Sequence, residues 1–196
     1  PPRRASDHPD NAGQLRGARR IQTGEVPGPD DPTETTAENT PMKIGDTVDL
    51  CTPHSRVIAV DAATGQKRWE FDPKLQSPVG FKHWEHMTCR GVSYHDDMKY
   101  ASAVIPAPAT TAAGAPAPAS TAPLPAPANV SATCPRRLFL PTADARLIAL
   151  DADSGKPCTD FGKDGTVDLR ANIGPFTPGG YYSTSPPAVT RDLVII

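Results

Sequence analysis

Apolar and polar side chains alternate in short runs along this chain, which is the pattern of β-strands with a buried face. In one such run Val48 and Leu50 alternate with polar neighbours. Segments rich in Pro, Ser, Thr and Gly separate consecutive runs and are typical of tight turns. The pattern therefore predicts an antiparallel meander of three strands, at Thr47–Thr52, Arg56–Val60 and Lys67–Phe71.

Part of this meander is repeated later in the chain. Residues 50–66 align without gaps on residues 140–156, 90 positions later, with eight identical pairs. Without an intervening stretch of about 30 residues, the period approaches that of a four-stranded propeller blade with a loop, about 40–50 residues. In each copy an aspartate and a glycine are placed to close the turn, and Trp69 is expected to pack into the adjacent blade.

Composition divides the chain into four regions. Residues 1–40 are polar and predict an irregular segment that enters the propeller, and residues 41–100 form the first blade region. Residues 101–132 are Ala/Pro-rich, with seven prolines that would interrupt any strand ladder, so they predict a disordered surface insertion. The alternative, a polyproline ligand, lacks the usual basic residue. Residues 133–196 form the second blade region.

Overall composition and charge exclude several classes of protein. Proline and glycine make up about a fifth of the 196 residues, against an ordinary share of about 12%, which argues against a helical bundle. A net charge of −2 gives no field that would gather nucleic acid. No apolar run approaches the ~18 residues of a membrane span. Because the chain begins with Pro1 and has no signal peptide, we expect an excerpt or a mature piece.

Four cysteines form no CxxC pair, which excludes a zinc ribbon or a thioredoxin motif. They lie at positions 51, 89, 134 and 158. In an oxidising compartment they could form two disulfides with any of three connectivities, and spacing does not choose among them. The alternative is four free, buried cysteines.

Five residues around the first turn resemble the tryptophan-docking motif of the quinoprotein dehydrogenases, eight-bladed β-propellers that carry pyrroloquinoline quinone (PQQ). They are Ala59, Asp61, Thr64, Gly65 and Trp69. Four longer segments are similar to the membrane-bound, PQQ-dependent glucose dehydrogenases within that family, namely 43–65, 86–95, 134–152 and 181–187. The resemblance implies an all-β fold, a partial eight-bladed propeller of about two to three blades of four-stranded antiparallel sheet.

The resemblance also implies an activity and a location. The family oxidises the C1 hydroxyl of D-glucose and other aldoses to the lactone, with PQQ as cofactor and ubiquinone as electron acceptor, at the periplasmic face of the bacterial inner membrane. The general base and the ligands of Ca²⁺ or Mg²⁺ are expected beyond residue 196, and a membrane segment ahead of residue 1. The alternative is a non-catalytic periplasmic propeller that scaffolds outer-membrane assembly, which would have no use for the arginine and histidine of segment 86–95.

Four residues acquire site roles through this resemblance. Arg90 matches an arginine that binds a PQQ carboxylate, Glu38 a glutamate at the cofactor's edge and Thr184 a hydroxyl at its periphery. His86 matches a histidine beside PQQ, where the sugar enters. The competing interpretations are a surface arginine, a solvated acid, a turn-forming threonine and, for His86, a metal site that includes His83, Cys89 and His95.

Two places depart from the family pattern. In residues 18–25, Arg19 and Arg20 replace large apolar residues of a strand that the resemblance implies is buried, and Gln22 replaces an arginine near the cofactor. Asp49 occupies a position where an apolar side chain is expected. Both departures predict a locally altered or weakened structure.

Overall fold

The computed structural model describes residues 17, 20–98, 131 and 133–196, which contain twelve β-strands. The predicted insertion at 101–132 lies outside these residues except for Ser131, which is buried. In chain order the strands are β1 (Glu34–Thr36), β2 (Met42–Ile44), β3 (Thr47–Cys51), β4 (Val57–Asp61), β5 (Lys67–Phe71), β6 (His86–Thr88), β7 (Ser93–Asp96), β8 (Arg136–Pro141), β9 (Arg146–Asp151), β10 (Thr166–Asp168), β11 (Ala188–Val189) and β12 (Val194–Ile195).

Two four-stranded antiparallel sheets dominate the fold and confirm the all-β prediction. The first sheet has the strand order β2-β3-β4-β5 and the second sheet β7-β8-β9-β10. The predicted meander is strands β3 to β5. Strand β4 begins one residue later than predicted because the carbonyl of Arg56 closes the preceding turn, where it accepts from the Thr52 N–H at 2.9 Å. Strand β7 pairs with β8 and so belongs to the second sheet, although the Ala/Pro-rich segment 101–132 separates these strands in sequence.

The sequence repeat is also a repeat of register. In the first sheet Val48 pairs with Val60, and in the second sheet Leu138 pairs with Leu150, 90 positions later on both strands. The turns that follow are built alike: Asp61 Oδ1 accepts from the Thr64 N–H at 2.8 Å, and Asp151 Oδ1 accepts from the Ser154 N–H at the same distance. The two segments are therefore copies of one structural unit.

The main hydrophobic core lies between the two sheets. Cys51 and Val57 of the first sheet pack with four buried side chains of the second, Leu138, Leu140, Ile148 and Leu150. The Trp69 ring from β5 lies directly on Gly155 in the turn after β9, where an added Cβ would come 2.7 Å from Trp69 Cδ2. Trp69 thus packs into the neighbouring unit, as the sequence predicts. Gly155 also has a φ of +69°, so both the Trp69 contact and the backbone conformation require glycine at this position.

Two smaller strand pairs flank the sheets. Strands β1 and β6 are parallel, and β11 and β12 form an antiparallel pair. A second cluster of buried residues covers the other face of the second sheet, where Phe139 and Ala149 pack with Val189 of β11 and Val194 of β12. The segment that follows the second sheet therefore packs onto it.

The four cysteines form two disulfides, Cys51–Cys89 and Cys134–Cys158, which settles the pairing that spacing left open. The first joins the end of β3 to the segment after β6, and the second closes a loop of the second sheet. All four residues are buried.

The N-terminal segment is tied to the first sheet by charge. The carboxylates of Glu25 and Asp31 contact the two ring nitrogens of His54. Hydrogen bonds that the His54 ring donates to these carboxylates raise the pKa of His54 to about 9, against the opposing effect of its partial burial. The buried strand implied for residues 18–25 is not found in the described part, residues 20–25, where Arg20 and Ile21 are exposed. Arg20 is tolerated because residues 20–25 follow the surface.

A repeated arginine holds the segment that precedes each sheet. Arg56 Nη2 donates to the Thr23 carbonyl at 2.6 Å, and its counterpart Arg146 donates to the Pro73 carbonyl at 2.9 Å. These arginines are one of the identical pairs in the repeat. Each one therefore ties the preceding segment to its sheet.

Asp49 is fully buried, so it occupies the kind of position where the family pattern has an apolar side chain. The structural counterpart of Asp49 in the second sheet is the buried Phe139, 90 positions later. Asp49 Oδ2 accepts from the Thr47 hydroxyl at 3.2 Å, whereas Oδ1 has no hydrogen-bond partner among the described residues. Burial raises the pKa of Asp49 to about 6.

We expect Gly155→Ala to destabilise the protein more than the control Gly45→Ala. Both glycines have positive φ, but an added Cβ at Gly45 meets no atom within 4 Å. The control should lose about 1–2 kcal/mol of unfolding free energy from backbone strain alone. Gly155→Ala should lose a further ~1–3 kcal/mol because Trp69 must move. Urea denaturation measures both losses, and equal losses would show that the Trp69 contact contributes nothing.

Substitution of Asp49 by asparagine should stabilise the protein at pH 8 and leave it unchanged at pH 4. The pKa of Asp49 is about 6 in the folded state and about 4 when unfolded, so the wild type loses stability as pH rises through this interval. Asparagine mimics the protonated carboxyl and avoids that loss, a gain of up to ~3 kcal/mol at pH 8. Urea denaturation at both values of pH tests this. A stability difference that does not vary with pH would contradict it.

Candidate functional site

The parallel pair of β1 and β6 brings two distant chain segments together. Glu34 lies opposite His86, a register offset of 52 residues. The same offset relates Glu38 to Arg90, two residues beyond the ends of the paired strands, and these side chains form an ion pair. The Thr88 hydroxyl donates to the Thr36 carbonyl at 3.1 Å and ties the strands near their ends. The pairing thus places Glu38 beside Arg90.

The Arg90–Glu38 ion pair is half exposed, and Glu38 binds only the Nε atom of the Arg90 guanidinium. Arg90 Nε donates to Glu38 Oε2 at 2.8 Å, with 50% of the Arg90 side chain and 42% of the Glu38 side chain exposed. This bond, together with one from Thr36, holds the pKa of Glu38 below its usual range. The terminal Nη atoms of Arg90 contact no acceptor among the described residues. The guanidinium therefore keeps one edge open to a second anion.

Two other loops fix the backbone of Arg90. Its N–H donates to the Thr184 carbonyl at 3.2 Å, and its carbonyl accepts from the Thr40 N–H at 2.9 Å. The next residue, Gly91, has a φ of +154°, and an added Cβ there would stand 3.0 Å from Pro186 Cγ. Glycine at position 91 leaves room for the Pro186 ring, which any side chain there would have to displace slightly.

His86 is held through Tyr182, which the sequence did not single out. The two ring centroids are 5.6 Å apart, and the Tyr182 hydroxyl donates to the His86 carbonyl at 2.9 Å. Burial raises the pKa of Tyr182 to about 12, so the phenol keeps its proton at neutral pH. Tyr182 lies within the 181–187 segment that carries the family resemblance, and this was the available signal. It connects His86 to the segment that carries Thr184.

Three of the four predicted site residues meet, namely Glu38, Arg90 and Thr184, and together with His86 they are called the Arg90 site below. Glu38 and Thr184 contact Arg90 directly, and His86 lies four residues earlier on the same segment. The Thr184 hydroxyl makes no hydrogen bond to the described residues and is available to a ligand. The roles of these residues in binding remain predictions.

The competing metal interpretation fails on geometry. Cys89 is in a disulfide, His95 Nε2 is hydrogen-bonded to Asp97 at 2.7 Å, and His83 is exposed. Throughout the described part of the chain, no three histidine, cysteine, aspartate or glutamate side chains are grouped so that they could hold a metal ion. The same part contains no helix that is long and apolar enough to cross a bilayer.

A cavity of about 150 Å³ adjoins the residues next to His86 and Tyr182 in sequence. Its lining includes Trp84, Tyr181, Phe176 and Arg170. The Arg170 guanidinium is held by both oxygens of Asp168, at 2.7 and 2.9 Å, so its charge is compensated. The cavity therefore offers a mostly apolar wall that includes three aromatic rings, rather than a second anion site.

Comparison with known proteins gives a family match and several relatives. The family model "PQQ: Glucose/ethanol/alcohol dehydrogenase, beta-propeller domain" matches residues 7–196. The quinoprotein glucose dehydrogenase of Escherichia coli (strain K12) is 41% identical over 187 residues, which are 95% of this chain and 20% of that protein. The probable quinate dehydrogenase (quinone) of Xanthomonas campestris pv. juglandis is 40% identical over 156 residues, 80% of this chain and 18% of that protein.

The fold also matches a solved structure, the quinohemoprotein alcohol dehydrogenase from Comamonas testosteroni. The TM-score is 0.50 at 21% identity, over 82% of this chain and 17% of that chain. At this identity the match concerns the fold alone. The chain spans about a fifth of the length of the curated relatives it matches.

Proposed function

The chain belongs to the PQQ-dependent glucose/ethanol/alcohol dehydrogenase β-propeller family, and on that premise we propose that it is part of a quinoprotein aldose dehydrogenase. The proposed enzyme oxidises the C1 hydroxyl of D-glucose to gluconolactone and passes the electrons through PQQ to ubiquinone, at the periplasmic face of the inner membrane. The observation that carries the proposal is the half-open Arg90–Glu38 pair, whose arginine N–H binds the Thr184 carbonyl.

The residues of the Arg90 site fit the chemistry of PQQ, a flat quinone with three carboxylates. Glu38 occupies the Nε side of the guanidinium, and the free Nη edge can bind a second carboxylate with two parallel, charge-assisted hydrogen bonds. The Thr184 hydroxyl would add a donor at the periphery. Glu38, ionised at neutral pH, would present an acceptor to the cofactor's edge.

Each residue of the site would orient a reactant rather than perform the chemistry. Bound PQQ supplies the two-electron acceptor of the reaction. Arg90 and Glu38 would hold the cofactor in one orientation, and the His86 imidazole, able to donate or accept a proton, would hydrogen-bond a sugar hydroxyl. The Ca²⁺ or Mg²⁺ of the family and its general base would be supplied by chain outside these residues.

The proposal is tested with the full-length apoprotein, PQQ and Ca²⁺ or Mg²⁺ in a dye-linked assay. We expect dye reduction with D-glucose and little with quinate, although the relatives include both specificities. Activity with quinate alone would overturn the aldose assignment and keep the family. Absence of any PQQ-dependent activity would favour the scaffold alternative, which the dehydrogenase relatives do not support.

Replacement of Arg90 by alanine should raise the PQQ concentration needed for half-maximal activation about 10- to 100-fold. The reason is the loss of a charge-assisted bidentate contact, worth ~1.5–3 kcal/mol. Arg68→Ala is the matched control, because Arg68 is also exposed and paired with a carboxylate, that of Asp61 in the first turn. Equal shifts in the two variants would remove Arg90 from the cofactor site.

Replacement of His86 by alanine should raise the KM for D-glucose about tenfold at saturating PQQ, with a smaller change in kcat, because a hydrogen bond to bound sugar is lost. His83→Ala is the control: this exposed histidine lies three residues away in sequence. Steady-state kinetics on both variants measures the effect. A KM that is unchanged in His86→Ala would exclude the role.

A further inference from the structure

The segment that carries Arg90 receives no support from a sheet. Strand β6 ends at Thr88 and pairs with β1, whereas β7 begins at Ser93 and belongs to the second sheet. Residues 89–92 therefore bridge two separate sheets. The backbone hydrogen bonds of Arg90 go to Thr40 and Thr184, which lie outside the strands themselves. Two hydrogen bonds to loops hold this bridge, and a link to one of the sheets would fix it further.

The Cys51–Cys89 disulfide supplies that anchor. Cys51 is the last residue of β3 and pairs with Val57 in the first sheet. Cys89 immediately precedes Arg90, and the Cα atoms of the two cysteines are 6.0 Å apart. Both cysteines are 3% exposed and belong to the core between the sheets. The bridge is thereby covalently fixed to the rigid first sheet one residue ahead of Arg90.

The same disulfide also holds the acidic partner. Asn39 Nδ2 contacts Cys51 Sγ at 3.2 Å. Asn39 lies between Glu38, which binds the Arg90 side chain, and Thr40, which binds the Arg90 carbonyl. The segment that carries Glu38 and the segment that carries Arg90 are therefore both held at the Cys51–Cys89 disulfide.

We propose that the Cys51–Cys89 disulfide is a positioning element of the Arg90 site, which sets the guanidinium and the Glu38 carboxylate for the cofactor. The inference rests on the proposed function, since PQQ is the ligand in question. A preorganised site binds more tightly because no ordering is left to occur on binding. Loss of the disulfide should then weaken cofactor binding beyond its effect on overall stability.

The second disulfide is a matched control within the same chain. Cys134–Cys158 is equally buried and closes a loop of 24 residues, compared with 38 for Cys51–Cys89, so loop closure predicts similar stabilisation from both. It packs with Phe139 and Leu147 in the second cluster of buried residues and makes no contact with the Arg90 site. A purely structural role would make the two disulfides equivalent.

The experiment compares two variants of the full-length apoprotein, Cys51→Ala with Cys89→Ala and Cys134→Ala with Cys158→Ala. The Kd for PQQ is measured by quenching of tryptophan fluorescence, and Tm is measured in parallel. We expect the Kd to rise about tenfold in the first variant and less than about twofold in the second, with Tm lowered in both. The KM for D-glucose at saturating PQQ should stay within about twofold of wild type in the first variant.

A double-mutant cycle tests whether the disulfide acts through Arg90. When Arg90 is already alanine, removal of Cys51 and Cys89 should change the Kd less than about twofold.

If the first cysteine variant does not fold, Asn39→Ala takes its place: it keeps the disulfide, cuts its contact with the Glu38 segment and should raise the Kd about threefold. An unchanged Kd in that variant would overturn the inference.

The outcomes separate the inference from the proposed function. If wild-type apoprotein binds no PQQ, the proposed function fails and the inference fails with it. If the wild type binds PQQ but the two disulfide variants shift the Kd equally, or neither shifts it, only the positioning role is overturned.

Discussion

The structure depends on the packing of one four-stranded sheet against the next. Residues 57–60 of β4 and 147–150 of β9 are buried without alternation, so both faces of these strands must be covered. A single sheet cannot meet that requirement. Stacking of the first sheet on the second does so on one face, and the approach is close enough that the Trp69 ring lies on the backbone of Gly155.

The candidate site is a product of this stacking, because its residues come from the segments that precede, link and follow the sheets. Along the chain, Glu38 precedes the strands of the first sheet, Arg90 lies between those of the first and the second sheet, and Thr184 follows those of the second. Once the sheets are stacked, these three connecting segments converge, and backbone hydrogen bonds join them at Arg90. The sheets supply the rigidity and the connections supply the chemistry, a common division of labour in proteins.

The repeated strands and turns could be predicted from the sequence because local signals encode them. Alternating side chains, an aspartate that accepts from the turn and a glycine with positive φ are visible in a short window. The assignment of β7 to the second sheet, the parallel pairing of β1 with β6 and the choice of disulfide partners depend on contacts far apart in sequence. Local pattern contains no information about them.

The site residues were accessible only through family resemblance. By composition Glu38 is one acid among several in a polar segment, and nothing near it signals the ion pair with Arg90. Tyr182 and Asn39 escaped notice because their roles are contacts with the backbone of His86 and with Cys51 Sγ, which no side-chain pattern records. Residues 20–25 do not form the buried strand of the family pattern; charge, not burial, attaches this segment to the first sheet.

The strands on either side of the Ala/Pro-rich stretch are paired with each other: Asp96 at the end of β7 pairs with Arg136 at the start of β8, and the Asp97 N–H donates to the Pro135 carbonyl at 2.9 Å. Whatever length of chain joins these points, the ladder between the strands is the same, and each doubling of a flexible connection costs only ~0.6 kcal/mol. Evolution can lengthen or trim the protein here without disturbing its architecture. A protein engineer could use the same junction to graft a reporter domain.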